Sequence, residues 1–194
     1  MKIVKKKASR IVSNNKGVIG LMRPEHSAPD SALDANRLLE EAISKYANTV
    51  KRVSFMYIRN AADAEDIMQE VFIKYMLRAH RGERFESDQH EKSWILRVTV
   101  NQCKDYMKSY WRRNVSQIGD QDFAAPEEDG GGVLEYIRML PKNYRVLFYL
   151  FYYETYTVPE ISKITGVKTN TIYSSLSRAR VMLKKYMEGG GSDE

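Results

Sequence analysis

The chain has 194 residues, 43% of them hydrophobic and 29% charged, with a formal net charge of +6 at pH 7. That is long and apolar enough for one packed domain or two small ones, which excludes wholesale disorder, and its basic balance suits a polyanionic partner without requiring one. The single cysteine, Cys103, excludes an internal disulfide framework and a cysteine-based metal site and fits a reducing cytoplasm.

Residues 1–32 carry Lys2, Lys5, Lys6, Lys7, Arg10, Lys16 and Arg23 and no acid before Glu25. They are rich in Ser, Asn, Gly and Pro, show no sustained period and lack the apolar run of a signal peptide. They read as a basic mobile arm, or as an extension without function. No stretch approaches the ~20 apolar residues of a membrane span, so the protein is expected in the cytoplasm.

Helical periodicity begins at Leu33. Leu39, Ile43, Tyr46, Val50, Val53 and Tyr57 recur at spacings of three and four, one buried helix face. Asn60 is placed to cap a second helix, with Asp63, Glu65 and Asp66 in its first turns, where the helix dipole favours acids. Ile67, Val71 and Tyr75 mark that helix's apolar side, while Asp66, Gln69 and Glu70 face away. The polar, aperiodic stretch 80–91 reads as a loop. A long helix over about 91–112 follows, with Leu96, Val100, Cys103 and Met107 as its core stripe.

Residues 114–133 differ in kind. They hold Asp120, Asp122, Glu127, Glu128, Asp129, Pro126 and the run Gly130-Gly131-Gly132, and no basic residue after Asn114. This composition predicts a flexible acidic linker between two domains, 33–113 and 134–187, with a flexible tail at 188–194. The expected fold is all-α: two small helical domains.

In the second domain Pro141 opens a helix to about Tyr153. Thr157 then caps a short helix with Pro159 and Glu160 in its first turn, and Gly166 ends it. Thr169 caps a longer helix whose buried face is Ile172, Leu176, Ala179 and Leu183. Two helices joined by a short Gly turn make a helix-turn-helix pattern. Asn170, Tyr173, Ser174, Ser177 and Arg178 point away from the core and can meet base edges and phosphates in a major groove. Lys163, Lys168, Arg178, Arg180, Lys184 and Lys185 are the only charged residues from Ile161 to Tyr186, an electrostatic footprint for a phosphate backbone.

In the first domain the helix over 91–112 carries Arg97, Asn101, Lys104, Lys108 and Arg112 on one stripe, with Trp94, Tyr106, Tyr110 and Trp111 interleaved. Basic side chains track phosphates and aromatic faces stack unpaired bases, at ~1–3 kcal/mol per base. The same residues also fit a solvated basic face over an ordinary aromatic core. The acidic face Asp66, Gln69, Glu70 suits a basic protein groove or plain solvent.

Three motifs in this order resemble the extracytoplasmic-function (ECF) group of bacterial RNA polymerase sigma factors over about residues 33–187. Asp63-Ala64-Glu65-Asp66-Ile67-Met68-Gln69-Glu70-Val71-Phe72 is similar to that family's polymerase-binding helix. Trp94-Ile95-Leu96-Arg97-Val98-Thr99-Val100-Asn101, with Asp105-Tyr106 and Arg112-Arg113, is similar to its promoter-melting helix. Leu140-Pro141, Arg145 and the run from Tyr156-Thr157 to Arg178-Ala179-Arg180 resemble its second DNA-binding domain.

The resemblance implies an alternative sigma factor that directs core RNA polymerase to promoters and helps open the DNA. Asp66, Gln69, Glu70 and Ile73 would dock on the clamp coiled coil of the largest polymerase subunit. The loop 85–89, with Phe85, Ser87 and Asp88, would capture a flipped base of the minus-ten element. Arg97, Asn101, Lys104, Lys108 and Arg112 would hold the opened strand or flanking duplex. Lys168, Thr169, Asn170, Thr171, Tyr173, Ser174, Ser177 and Arg178 would read the minus-thirty-five element. An anti-sigma factor, in some members membrane-bound, is a further partner the family implies. Tyr173, Ser175 and Asn170 depart from the family's common residues, so the promoter sequence does not carry over.

A conventional operator-binding regulator and a sigma-like decoy that titrates polymerase or an anti-sigma factor are the alternatives. An enzyme is the least favoured class. His26, His80 and His90 are scattered, and the sequence holds no Ser/His/Asp arrangement, phosphate-cradling Gly loop, metal-ligand cluster or cofactor motif.

Overall fold

The computed structural model describes residues 28–113 and 133–189, with side chains for 33–110 and 134–188. Seven helices follow one another among the described residues: α1 (Ala28–Ile58), α2 (Ala61–His80), α3 (Asp88–Arg113), α4 (Val133–Met139), α5 (Lys142–Tyr152), α6 (Val158–Thr165) and α7 (Thr169–Gly189). The predicted linker and most of the basic arm lie outside the described residues. Helix α1 begins at Ala28, five residues before the periodicity that starts at Leu33 in the sequence.

Local chemistry sets the helix boundaries. Arg59, at φ 59°, turns the chain out of α1. Extended Asn60 then caps α2, its Oδ1 accepting from the Asp63 amide at 3.1 Å. Gly82, at φ 73°, breaks the chain away from α2. Ser87 Oγ accepts from the His90 amide at 3.1 Å, so α3 starts at Asp88, three residues before the helix start expected at Glu91. The loop is correspondingly shorter. A left-handed Thr155 and a bond from the Tyr156 amide to the Leu150 carbonyl make the sharp turn between α5 and α6.

Two hydrophobic cores result. The first joins Leu39, Ala42, Tyr46 and Val50 of α1 with Ile67, Val71, Phe72, Ile73, Tyr75 and Met76 of α2, closed by Ile95 and Cys103 of α3. The second gathers Ile137, Leu140, Val146, Leu147, Leu150, Tyr156, Ile161, Ile164, Ile172, Leu176, Ala179 and Leu183 from α4–α7. Four residues of the first domain belong to this second core: Val53 and Met56 from α1, Leu96 and Val100 from α3. The α3 stripe read from the sequence as one core face therefore divides. Cys103 faces the first core, whereas Leu96 and Val100 face the second domain, with α6 packed against α3 and α5 against α1.

Candidate nucleic-acid and polymerase interfaces

The α6–α7 pair forms as its punctuation requires. The Thr157 amide and hydroxyl both donate to Glu160 Oε2, at 2.8 and 2.6 Å, a capping box that satisfies the free start of α6. These bonds hold the Glu160 carboxyl below the usual range. Gly166, at φ 73°, ends α6, and its amide donates to the Ser162 carbonyl at 2.8 Å. Thr169 is the first helical residue of α7 rather than its cap.

Ile172, Leu176, Ala179 and Leu183 are buried, which turns the opposite face of α7 outward. Lys168, Thr169, Asn170, Thr171, Tyr173, Ser174, Ser177 and Arg178 are all exposed, Tyr173 at 60%. The whole predicted reading face is thus displayed on one helix surface. Ser174 Oγ donates to the Thr171 carbonyl at 3.0 Å, which leaves its lone pairs for a partner. Arg180 is committed elsewhere: its Nε donates to the Tyr152 hydroxyl at 2.6 Å and ties α7 to α5.

On α3, Arg97, Asn101 and Lys108 are exposed along one line. Lys108 lies 3.9 Å from Asp105, an exposed pair of little energetic weight. Lys104, predicted on the same stripe, is half-buried at its edge, and its Nζ donates to the Thr165 carbonyl at the end of α6, 2.5 Å away. Arg112 and Trp111 fall where side chains are not described. The interleaved aromatics divide by role. Tyr110 is 38% exposed and stacks on Tyr106, whereas Trp94 packs against Tyr75 and Phe85 beneath the loop.

That loop is built on aromatic contacts. Phe85 stacks on Tyr75 at 5.9 Å, meets His90 edge-on at 5.5 Å and lies under the Arg78 guanidinium at 4.6 Å. Beside it opens a cavity of about 340 Å³ whose lining includes Glu41, Lys45, Arg84, Phe85, Ser87 and Glu91. Asp88, also on its wall, pairs loosely with Lys45 at 3.4 Å. Ser87 serves as the α3 cap.

Sequence reasoning missed the cavity's anchor. Glu91 accepts from the Tyr46 hydroxyl at 3.0 Å and from the Tyr75 hydroxyl at 2.5 Å, one bond to each carboxylate oxygen. Burial first, and the Glu91 carboxylate second, push both phenols well above their usual range. The available signal was that tyrosines on buried helix faces need a partner for the hydroxyl.

On α2, Asp66 and Glu70 are exposed and Gln69 is half-buried. Gln69 Oε1 is enclosed and takes no hydrogen bond among the described residues. Ile73 does not join this face. It is 3% exposed in the first core, because the apolar arc of α2 is wide enough to take in three consecutive positions, Val71, Phe72 and Ile73. It offers almost no surface, so of the four residues expected there the outward side of α2 displays Asp66, Gln69 and Glu70.

Among the described residues no group of His, Cys, Asp and Glu is placed to hold a metal, and no helix is long and apolar enough to cross a membrane.

Comparison with known proteins matches the two domains separately. Residues 42–113 match the model of sigma-70 region 2, and residues 131–183 match the model of sigma-70 region 4. The chain is 26% identical over 151 residues to the RNA polymerase sigma factor SigV of Bacillus subtilis, covering 76% of this chain and 89% of that protein. Its fold is similar to the sigma factor RpoE of Bartonella quintana, solved with the anti-sigma factor NepR, at a TM-score of 0.64 and 17% identity over 78% of this chain and 98% of that one. A further similarity, at a TM-score of 0.54 and 14% identity, is to CnrH in complex with the cytosolic domain of CnrY, covering 82% of this chain and 94% of that one.

Proposed function

This chain belongs to the sigma-70 family, in the ECF group of RNA polymerase sigma factors, and we propose that it does the work of an alternative sigma factor through three separate faces. It directs RNA polymerase to promoters; the assignment of residues to that task is our reading. It is carried by one observation: every predicted reading residue of α7 is exposed on a single polar face.

Asp66, Gln69 and Glu70 dock on the clamp coiled coil of the largest polymerase subunit, where an acidic face meets basic protein and repels phosphate. Lys168, in the turn before α7, and the outward face of α7 from Thr169 to Arg178 enter the major groove of the minus-thirty-five element as duplex, with Arg178 and Lys168 toward phosphate and Asn170, Tyr173, Ser174 and Ser177 toward base edges. The cavity walled by Phe85, Ser87 and Asp88 receives a base of the minus-ten element flipped out of the stack. Arg97, Asn101 and Lys108, joined by Lys104 and Arg112, hold the opened strand or its flank. Binding to polymerase and capture of bases offset the unpairing cost, so the protein acts without catalysis of its own. Its partners are core polymerase, promoter DNA and an anti-sigma protein, the last by analogy with the complex of RpoE and the anti-sigma factor NepR that its fold resembles. It works in the cytoplasm, where polymerase and promoter meet.

The test is to mix the purified chain with bacterial core polymerase, select promoters from a genomic library and sequence the transcript starts. Starts that share two spaced motifs, absent with core alone and lost with Asp66→Lys/Glu70→Lys, support the reading. Tight polymerase binding with no specific starts identifies a titrating decoy. Absence of polymerase binding identifies an operator-binding regulator.

A further inference from the structure

The outward side of α7 is unevenly charged. Ile172, Leu176, Ala179 and Leu183 are buried, so at ~3.6 residues per turn the middle of the opposite face falls to Asn170, Ser174 and Ser177. All three are exposed and uncharged. The cations lie around them: Lys168 before the helix, Arg178 to one side, Lys184 and Lys185 two turns further on. Arg180 is tied to the Tyr152 hydroxyl, and Ser175, where the family resemblance leads one to expect a basic residue, is 6% exposed. Guanine is the base that arginine and lysine read, through O6 and N7. The line of α7 that lies deepest in a groove therefore carries no guanine reader.

What it carries instead has a definite donor and acceptor pattern. The side chain of Asn170 makes no hydrogen bond to another described residue. Its amide offers one acceptor, Oδ1, and one donor group, Nδ2. Adenine matches both on its major-groove edge, where the N6 amino group donates and N7 accepts; thymine and guanine present no donor there, and cytosine no acceptor. Ser174 follows four residues later, ~6 Å along the axis at ~1.5 Å per residue. Its hydroxyl proton is already given to the Thr171 carbonyl at 3.0 Å, so Oγ presents lone pairs alone. They accept from the amino group of adenine or cytosine and oppose the oxygens of thymine and guanine.

We propose that Asn170 selects adenine at one position of the minus-thirty-five element, and that Ser174 selects a base with a major-groove amino group, adenine or cytosine, close by. The selection rests on the reading of α7 as the helix that enters that element as duplex, and it supplies the base class. Lys168 and Arg178, on phosphate, set the depth and register of the helix without carrying sequence information. Asn170 and Ser174 share one face, so at ~3.4 Å per base pair their bases lie about two steps apart. Two nearby positions of the upstream motif thus depend on two uncharged side chains.

The experiment uses the full chain with bacterial core polymerase on its selected promoters, with the upstream motif randomised and transcripts counted for each template. The parent should prefer adenine about tenfold at one position. Asn170→Ala should relax that position alone. Asn170→Arg should move the preference there from adenine to guanine, a gain that no misfolded variant can give. Ser174→Ala should relax a second position about two steps away and leave the adenine in place. An upstream motif that stays the same in Asn170→Arg overturns the proposal, as does one in which Ser174→Ala changes nothing. Should Asn170→Arg not initiate at all, a template with 7-deazaadenine, which lacks N7 but still pairs with thymine, decides. A tenfold weaker parent supports the contact, and an indifferent parent overturns it. Failure of the sigma reading looks different. If the parent gives no specific starts with polymerase, the same templates are bound as duplex by the chain alone. Adenine-dependent binding that Asn170→Arg redirects to guanine then leaves Asn170 as the reader and rejects the sigma assignment; binding without base preference overturns both.

Discussion

The first core closes on itself, while the second does not. Leu39, Val50, Phe72 and Ile95 are buried by their own three helices, whereas the α4–α7 domain completes its interior with Val53, Met56, Leu96 and Val100 of its neighbour. The difference follows from size. A domain of about 55 residues buries only ~60% of the surface of its unfolded chain and is marginal alone. Its helices α4 and α6, seven and eight residues long, have little stability except by packing. The second domain thus draws part of its interior from the first, and in return covers Val53, Met56, Leu96 and Val100.

The sharpest test of that asymmetry removes the same chemistry from each core. Leu39→Ala and Leu150→Ala each delete a side chain at 2% exposure or less and each should cost ~2–5 kcal/mol, against a total of ~5–15. Leu150→Ala should melt α4–α7 and leave the near-ultraviolet signal of Trp94 intact. Leu39→Ala should melt both domains in one transition. Two independent transitions in Leu39→Ala, read by calorimetry, would break the comparison. Val100→Ala should have a middling effect of ~2 kcal/mol and should lower hydrogen-exchange protection in both domains, because it lies at the seam. Cys103→Ala, one helical turn away in the first core, should lower protection in the first alone.

The smallest effect should come from Thr157→Ala, which removes one bond of the capping box and should cost ~1 kcal/mol in α6. Its pH dependence has a defined sign. The bonds from Thr157 hold the folded Glu160 carboxyl below its unfolded value, so their contribution is complete above the ordinary glutamate range near ~4.3 and is lost as pH falls through the folded value. Parent and Thr157→Ala should therefore differ in urea midpoint at pH 7 and converge toward pH 3.

Where the fold was legible, the cause was punctuation. Asn60, Pro141, Thr157 and Gly166 each fix a backbone position by local chemistry, and α2, α5 and α6 begin or end where those residues place them. The outward face of α7 was legible because Ile172, Leu176, Ala179 and Leu183 are buried and leave the opposite side exposed. The burial of Ile73 was not legible, because its place beside Asp66, Gln69 and Glu70 came from the resemblance, and spacing marks the centre of an apolar arc but not its width. The bond of Lys104 to Thr165 and the ion pair that Lys92 of α3 makes with Glu154 were hidden for another reason. Their partners lie about 60 positions away in the sequence, and periodicity reports that a face is covered without saying by what.

Helix α3 has no idle side. Ile95 and Cys103 point into one interior, Leu96 and Val100 into the other, Lys92 and Lys104 reach across the seam, and Arg97, Asn101 and Lys108 are exposed, the face proposed for nucleic acid. A deep mutational scan of this protein should therefore find its lowest tolerance along α3, with almost every position vetoed by some neighbour. By contrast the outward positions of α7 such as Asn170, Tyr173 and Ser177 are exposed, and if they read DNA as proposed, new promoter preferences should arise there without disturbing the fold.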